Sequence, residues 1–549
     1  MTPTLGLLAL VLALDTTAAP PVIPRPAHLT SRAGTFTLTS ATVIATDRAT
    51  RSLGQVLADY LFPATGFRLV VGPAGSAPAG ASAISIGLDS TLSALGAEGY
   101  RLDVRPTRVT IRAFKPAGAF YAIETVRELF PPAILRSAEM RGVAWTLPAL
   151  TIEDYPRFEW RGMHLDVARH FMPKEFVKKL IDLLALHKFN RLHLHLTDDQ
   201  GWRIQIRRYP RLTEVGAWRR ETLVGRSDRD STTWRFDGVR HGGFYAQDDI
   251  AELVAYARAR FVTIVPEIEM PGHSQAAIAS YPELGNTGAT LPVWTAWGVD
   301  ENILNPSDST IAFEQNVLTE VMALFPGTWI HIGGDEAPKT QWKASAVAQA
   351  RMRALGLKDE DELQSWFTRR MDEFLTAHGR TLVGWDEILQ GGLSPHALVM
   401  SWRGVDGGIV AAKAGHDVVM APGSHTYFDH YQSADTANEP LAIGGYLPLD
   451  TVYAFEPVPA ALTPAEARHV LGAQGQVWTE YIPDPKRVEY MAFPRACALA
   501  EVLWTPREGR DYQDFRRRLT GHLSRLAALD VNARPPRDSV DTRFSDTRR

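Results

Sequence analysis

The sequence is nearly free of cysteine, since Cys497 is the only one among 549 residues. A chain with one cysteine cannot form an intramolecular disulfide bond. Cys497 lies in the apolar run Arg-Ala-Cys-Ala-Leu-Ala, residues 495–500, which has a helical pattern. A thiol in such a run is usually buried, so we interpret it as inert rather than as a nucleophile.

The sequence also lacks an excess of charge of either sign. Its 58 basic and 62 acidic side chains are interspersed and give a formal net charge of -4. Nucleic-acid binding needs a basic surface, so this balance argues against a nucleic-acid partner.

The first residues form a short apolar run. Residues 5–14 are mostly apolar, and the small residues Thr17, Ala18 and Ala19 precede Pro20. A membrane-spanning helix needs about 20 apolar residues, so this run is too short, but its length is typical of a secretory signal. We expect residues 1–19 to be a cleaved signal peptide and the mature protein to be periplasmic or secreted, without membrane association. Export without disulfide bonds is more typical of bacteria than of a eukaryotic lumen.

Residues 20–150 predict a small α+β domain. Strand-like patterns occur at residues 35–38, 67–71, 83–87 and 108–113, and amphipathic helical patterns at residues 52–61 and 117–129. The region contains no cluster of titratable side chains, so we predict that it supports the rest of the chain and does no chemistry.

Residues 151–510 predict a larger domain in which strands alternate with helices. Eight strand-like runs occur, at residues 162–167, 191–196, 262–266, 329–332, 381–385, 397–402, 417–420 and 472–478. Helical patterns separate them, among them residues 173–187, 247–260 and 362–378. Eight such units favour an α/β fold, a closed (β/α)8 TIM barrel. An open doubly wound sheet is the alternative, but no Gly-x-Gly-x-x-Gly follows the first strand. Residues 511–549 add one helix and a polar tail.

Carboxylates and tryptophans recur where the predicted barrel strands end, which is where parallel barrels carry their catalytic residues. In order, the strand ends carry Asp166 and Arg169, Asp198 and Asp199, Glu267 and His273, Asp335 and Glu336, Trp385 and Glu387, Trp402 and Arg403, Tyr427 and Asp429, and Trp478 and Glu480. Acids transfer protons and bind hydroxyl groups, and indole faces stack on sugar rings. The recurrence points to a glycoside hydrolase, although a single Trp–acid pair would more often be a core aromatic beside a surface acid.

The segment Trp-Ile-His-Ile-Gly-Gly-Asp-Glu, residues 329–336, is the centre of this pattern. Its alternating isoleucines predict a short strand, and its two glycines allow strained backbone angles or a close approach to a ligand. On an extended backbone neighbouring side chains point opposite ways, so we expect Asp335 and Glu336 to take separate roles. In isolation such a pair would more often start a helix.

The motifs resemble those of glycoside hydrolase family 20, the β-N-acetylhexosaminidases, in the bacterial type. Matching blocks lie at residues 162–171, 193–202, 267–274, 331–336, 384–387, 427–429 and 478–480, in family order. The family also carries a small α+β domain before its barrel, in agreement with residues 20–150. Residues 222–242 and 286–305 match no family motif, and loops of this kind border the substrate mouth.

The resemblance implies roles for eleven residues. Glu336 is implied as the general acid and base, and Asp335 as the partner of the substrate's 2-acetamido N–H. The other implied substrate-binding residues are Tyr427 for the acetamido oxygen, Trp385, Trp402 and Trp478 as pocket walls, Arg169 and Glu480 for the 3- and 4-hydroxyls, Asp429 for outer hydroxyls, and Asp198 with His273 as a pair that orients and tunes Glu336.

The resemblance further implies an exo-acting, retaining β-N-acetylhexosaminidase that removes terminal GlcNAc or GalNAc from oligosaccharides. In this family the acetamido oxygen attacks the anomeric carbon and forms an oxazolinium ring, so no enzyme nucleophile is needed. The implied partner is a carbohydrate such as a chitin oligomer, and the implied enzyme uses no cofactor and no metal.

Two other interpretations remain open from the sequence. His193 and His195 share one strand face and, with His331, have the side chains of a metal-dependent hydrolase. We favour barrel-interior histidines bonded to their neighbours, because such barrels fill their interior with side chains. The other alternative is a non-catalytic glycan-binding protein on the same fold, since fold does not determine function. The presence of both Asp335 and Glu336 favours catalysis.

Overall fold

The computed structural model of the protein describes residues 20–73, 82–227 and 230–536. The predicted signal peptide, residues 1–19, lies outside the described residues. Within those ranges, no helix is both long and apolar enough to cross a membrane.

The N-terminal part is a mixed seven-stranded sheet with two long helices. In spatial order the strands are His28–Thr37, Thr146–Asp154, Tyr100–Arg105, Arg108–Ala113, Ala83–Leu88, Val43–Thr46 and Val70–Pro73. The helices are Arg51–Thr65 and Pro116–Leu129. The predicted α+β architecture is therefore confirmed.

Three strands of this sheet were not predicted from the sequence. Val43–Thr46 is only four residues long, and Thr146–Asp154 contains Pro148, which weakens a strand pattern. Tyr100–Arg105 has charged residues at its three outward positions. Only the three positions that alternate with them are buried.

Eight parallel strands then close into a barrel. They are Trp160–Asp166, Arg191–His195, Thr263–Glu267, Trp329–His331, Thr381–Trp385, Leu398–Ser401, Val418–Met420 and Val470–Gly475. The last strand pairs with the first, with Gly472 opposite Trp160, so the sheet has no free edge. The predicted (β/α)8 barrel is confirmed, and the open doubly wound sheet is excluded.

Helices follow the strands around the outside of the barrel. The longer ones are Lys174–Leu186, Gln247–Arg258, Asp308–Leu324, Ala346–Leu355, Glu360–Ala377, Asp406–Lys413, Pro485–Ala492, Arg495–Trp504 and the C-terminal helix Tyr512–Ala528. Shorter helices lie in the loops, at Arg211–Glu214, Gln275–Ser280, Thr340–Ala344, Gly423–Thr426 and Leu449–Ala454. The loop after the second strand is long and carries three small hairpins, at Thr197–Asp198 with Gly201–Trp202, Trp218–Arg219 with His241–Gly242, and Leu223–Val224 with Arg235–Phe236.

Five barrel strands end earlier than the sequence pattern predicted, and the fourth and the eighth matter most for the loops at the carboxyl face. The fourth strand stops at His331, because Gly333 and Gly334 take φ angles of 67° and 89°. The eighth strand stops at Gly475, after which Gln476 forms an isolated bridge with Tyr427. Both early ends release the chain into loops at the carboxyl face of the barrel.

The buried carboxylate of Asp154 is one of the groups that join the sheet domain to the barrel. Its Oδ2 accepts from Lys188 Nζ at 2.9 Å and from the Tyr100 hydroxyl at 2.7 Å. Its Oδ1 accepts from Trp504 Nε1 at 2.9 Å. Because Asp154 and Lys188 are fully buried, each charge depends on the other for compensation.

We expect Lys188→Met to lower the free energy of unfolding by about 3–5 kcal/mol, because it leaves a buried carboxylate without its cation. Urea denaturation measures the effect. The control Arg101→Met breaks the neighbouring pair with Glu153, whose side chains are 57% and 33% exposed, and should cost less than about 1 kcal/mol. Equal small losses in both variants would contradict the importance of the buried pair.

Candidate active site

A pocket of about 310 Å³ opens at the carboxyl end of the barrel. Nine of the predicted site residues line it, namely Arg169, Asp335, Glu336, Trp385, Trp402, Tyr427, Asp429, Trp478 and Glu480. Its remaining wall consists of His430 and residues 443–445, which were not predicted. The other two predicted residues, Asp198 and His273, are buried and lie behind this lining.

The turn that carries the two adjacent carboxylates is not extended. Glu336 takes a φ of 42°, and the two preceding glycines also have positive φ. A Cβ on Gly333 would lie 1.7 Å from a carboxylate oxygen of Glu269, so only glycine fits there. The expectation that Asp335 and Glu336 point in opposite directions along a strand is therefore wrong, because the backbone has already left the strand.

Both carboxylates instead approach one imidazole, that of His273. Its Nε2 lies 3.7 Å from Asp335 Oδ2 and 3.5 Å from Glu336 Oε2. Its Nδ1 lies between two further acids, 3.3 Å from Asp198 Oδ1 and 3.2 Å from Asp199 Oδ2. Asp199 therefore contacts His273 together with Asp198, whereas the sequence analysis paired His273 with Asp198 alone.

The electrostatics of this group follow from burial and charge. Burial would lower the pKa of His273, but Asp198 and the other acids raise it well above its usual range, which makes it an imidazolium. The His273 imidazolium, whose Nε2 lies 3.5 Å from the carboxylate, lowers the pKa of Glu336, whose side chain is 41% exposed. Burial raises the pKa of Asp335 to about 6, although His273 opposes the change.

Arg169 is held in the pocket wall by three acceptors. Its guanidinium contacts Asp198 Oδ2 at 2.8 Å and Asp166 Oδ2 at 3.5 Å. Its Nε donates to Gln200 Oε1 at 3.2 Å. The guanidinium lies 5.0 Å from the centre of the Trp478 ring, so a cation and an indole face share one side of the pocket.

The indoles of two pocket tryptophans are fixed by buried carboxylates. Trp385 Nε1 donates to Glu267 Oε1 at 2.9 Å, and Trp402 Nε1 donates to Glu387 Oε2 at 2.9 Å. The rings of Trp402 and Tyr427 are nearly parallel, with an angle of 20° between them. The result is a rigid aromatic wall whose orientation is set from outside the pocket.

Several carboxylate oxygens in the pocket have no hydrogen-bond partner among the described residues. They are Asp335 Oδ1, Asp429 Oδ1 and Glu480 Oε2, all buried. Burial raises the pKa of Asp429 well above its usual range, and the Glu480 charge raises it further. A buried carboxyl oxygen without a partner is costly, so the pocket is complementary to a ligand rich in hydroxyl and amide groups, which both donate and accept.

Sequence reasoning gave no role to several acids that shape the pocket. Asp199, Glu267 and Glu387 lie beside predicted residues in the motifs, and Glu269 lies two residues after Glu267. Burial and the Asp335 charge raise the pKa of Glu269 well above its usual range. Their position in the same motifs as predicted residues could have identified these acids. Their contacts could not be predicted, because these depend on which strands are neighbours in the barrel.

A closed (β/α)8 barrel with a pocket of carboxylates and indoles at its carboxyl face is the arrangement of the barrel glycoside hydrolases. The family model for the glycosyl hydrolase family 20 catalytic domain matches residues 158–507, and the model for domain 2 of that family matches residues 19–155. The chain belongs to glycosyl hydrolase family 20.

Individual relatives agree with this assignment. A β-hexosaminidase of Porphyromonas gingivalis is 45% identical over 518 residues, which cover 94% of this chain and 64% of that relative. The chain thus spans somewhat less than two thirds of that protein's length. The solved structure of a GH20 β-N-acetylhexosaminidase from Streptomyces coelicolor has 35% identity and a TM-score of 0.81, covering 94% of this chain and 98% of the other. A GH20 exo-β-N-acetylglucosaminidase from Vibrio harveyi, in complex with N-acetylglucosamine, has 34% identity and a TM-score of 0.81, covering 94% and 78%.

The histidines of the barrel interior have the side chains of a metal site but contact protein groups. His193, His195 and His331 all approach the carboxylate of Glu267, at 3.1, 2.5 and 2.8 Å. The neutral ring of His164 packs edge-on against His193: burial and the neighbouring imidazoles hold its pKa well below the usual range. The interpretation as bonded interior histidines thus has a structural basis, and independence from metal remains a prediction.

We expect exhaustive dialysis against EDTA to leave the melting temperature unchanged, because these imidazoles are already engaged with Glu267. A resident metal ion would stabilise the folded state by mass action. Differential scanning calorimetry before and after chelation is the measurement, with mock-dialysed protein as control. A lower melting temperature after EDTA that zinc restores would establish a metal site.

Proposed function

We propose that the protein is an exo-acting, retaining β-N-acetylhexosaminidase that removes terminal GlcNAc or GalNAc residues by substrate-assisted catalysis. The observation that carries this proposal is the adjacent pair Asp335 and Glu336, held on one turn against the single imidazole of His273. A double-displacement enzyme also has two carboxyl groups about 5 Å apart, but they flank the scissile bond from opposite sides, so the side of the sugar and not the distance distinguishes the two retaining mechanisms. Neighbours on one turn suit a different division, in which one is the acid and the other serves the substrate's own nucleophile.

In this mechanism Glu336 protonates the glycosidic oxygen and then activates water. The His273 imidazolium, 3.5 Å away, lowers the pKa of Glu336, which favours the ionised form of this carboxyl group. A sugar that covers this partly exposed side chain removes its water, and burial favours the protonated carboxyl. Binding therefore prepares the acid form, and His273 stabilises the carboxylate that remains after proton transfer.

Asp335 serves the acetamido group. Its unpartnered Oδ1 accepts the acetamido N–H, and its charge stabilises the positive charge that develops as the ring closes. Tyr427 donates to the acetamido oxygen and orients it toward the anomeric carbon. Trp385, Trp402 and Trp478 wall the small cavity that receives the group.

The exo-action of the enzyme follows from the other side of the pocket. Arg169, Asp429 and Glu480 line it and bind the hydroxyls of one terminal ring, and the unpartnered oxygens of the two acids accept from those hydroxyls. A pocket of about 310 Å³ has room for one sugar ring with its acetamido group. The Vibrio harveyi relative, whose structure holds N-acetylglucosamine, supports this ligand class.

The proposal extends to the rest of the molecule. We propose residues 20–150 as a non-catalytic domain, residues 151–510 as the catalytic domain, and residues 511–549 as a C-terminal helix and tail. The partner is a glycan with a terminal β-linked N-acetylhexosamine, and neither nucleic acid nor membrane is a partner. With the expected signal peptide, residues 1–19, the enzyme is periplasmic or secreted. Turnover of a chromogenic N-acetylglucosaminide distinguishes it from a glycan-binding protein.

The two carboxylates should respond differently to substitution. Glu336→Gln removes the proton donor and should lower kcat by about 10²–10⁴-fold for a disaccharide, but less for an activated aryl leaving group. Asp335→Asn should lower kcat for both substrates by similar factors, because it acts on the nucleophile. Steady-state kinetics with both leaving groups gives the comparison. Identical leaving-group dependence in the two variants would refute the division of roles.

The pH profile should report Asp335. Its carboxylate must be ionised to support the acetamido group, and burial raises its pKa to about 6. A raised pKa means that the acid form persists to higher pH, so kcat/KM should fall as the pH drops through about 6. Asp335→Asn should remove this limb from the pH–kcat/KM profile. A limb that persists unchanged in the variant belongs to another group.

A further inference from the structure

A buried carboxylate joins the two halves of the pocket from below. Glu267 ends the third barrel strand, where it pairs with His195 of the second strand and His331 of the fourth. Residues paired in register on neighbouring strands point to the same face of the sheet, which here is the barrel interior. Glu267 is fully buried and does not line the pocket. It therefore acts on the reaction only through its neighbours.

Three of the nitrogens that face Glu267 carry a proton, whereas a fourth, His331 Nδ1, lies 2.8 Å from Oε1 and accepts from the backbone N–H of Gly333. Oε1 accepts from Trp385 Nε1 at 2.9 Å, and Oε2 accepts from His195 Nδ1 at 2.5 Å. His193 Nε2 lies 3.1 Å from the same Oε2, and it carries the proton because His193 Nδ1 accepts from Gln474 Nε2. A carboxylate can accept from all three of these donors, whereas an amide, placed either way, would turn an N–H group toward at least one of them.

One branch from Glu267 reaches the proposed acid. His195 Nε2 donates to Asp198 Oδ2 at 2.8 Å, and the same oxygen accepts from Arg169 at 2.8 Å. The other oxygen of Asp198 lies 3.3 Å from His273, which contacts Glu336 at 3.5 Å. Carboxylates and cations alternate along the whole path.

The charge of His195 is consistent with this path. Burial alone would lower its pKa, but Glu267 and Asp198 raise it to about 10. His195 is therefore an imidazolium at neutral pH, with a carboxylate at each ring nitrogen. Without the Glu267 charge, the pKa of His195 would be lower. Asp198 would then face less positive charge on His195.

We propose that Glu267 is a positioning residue for the reaction: it fixes the Trp385 indole that walls the acetamido cavity and, through His195, the Asp198 carboxylate behind Glu336. The second branch is direct, since Trp385 donates to Glu267 itself. One buried side chain thus aligns the nucleophile's cavity with the proton donor. This inference rests on the proposed function.

The test is Glu267→Gln, assayed on an N-acetylglucosaminide with a dinitrophenyl leaving group and on a disaccharide. We expect kcat/KM for the disaccharide to fall about 10–100-fold, the loss typical when a residue that orients a metal ligand is replaced in a metalloenzyme. The loss for the dinitrophenyl substrate should be smaller, because that leaving group needs little protonation. The ratio of the two losses does not depend on how much enzyme is folded, so a purely structural role would leave it unchanged.

Three further variants complete the experiment. Glu314→Gln makes the same change at a buried glutamate of the outer helix Asp308–Leu324 and should leave the ratio at its wild-type value. Trp385→Phe removes the hydrogen bond to Glu267 and should lower kcat/KM for both substrates by similar factors. His195→Gln cuts the branch to the acid and should reproduce the changed ratio even if Glu267→Gln does not fold.

The results separate this inference from the function on which it rests. A wild-type ratio in Glu267→Gln, or in His195→Gln should the former be unfolded, overturns the positioning role while wild-type turnover still supports the function. If the wild-type protein hydrolyses neither substrate, the proposed function fails instead.

Discussion

The pocket depends on the alternation of buried charges around His273. Two acids lie behind its Nδ1 and two in front of its Nε2, at distances between 3.2 and 3.7 Å. Isolated carboxylates could not remain ionised in such a buried place, because burial disfavours the charged form. The imidazolium compensates them, and Arg169 does the same for Asp198 on the sugar side. Different acid strengths for Asp335 and Glu336 follow from this single arrangement.

The barrel places these charges together through strand register rather than through closeness in sequence. Asp198, His273 and Glu336 follow the second, third and fourth strands, which are neighbours in the barrel. The layer below, with His195, Glu267 and His331, comes from the same three strands. The barrel interior and the pocket thus lie one above the other on the same three strands. The pocket residues can keep their positions only if the interior residues below them are packed and hydrogen-bonded.

Much of the site could be predicted because its residues lie directly after recognisable strands, as Asp335 and Glu336 do after Trp329–His331. The parts that could not be predicted depend on three-dimensional contacts. The left-handed turn at Glu336 comes after two glycines with positive φ, and the first of them, Gly333, lies where a Cβ would meet the carboxylate of Glu269, which follows the neighbouring strand. Likewise, residues 443–445 reach the pocket from a long loop without a periodic pattern. Sequence periodicity describes strands and helices, and it contains no information on where such a loop returns.

The central claim is that the substrate's acetamido oxygen, and not an enzyme carboxylate, attacks the anomeric carbon. The most direct measurement compares kcat/KM for an aryl N-acetyl-β-glucosaminide with that for the matching aryl β-glucoside, which differs only at C2. The account predicts turnover of the first and almost none of the second, with competitive inhibition by a thiazoline that resembles the cyclic intermediate. Comparable turnover of both substrates, together with covalent trapping of Asp335 by a fluorinated sugar, would contradict it.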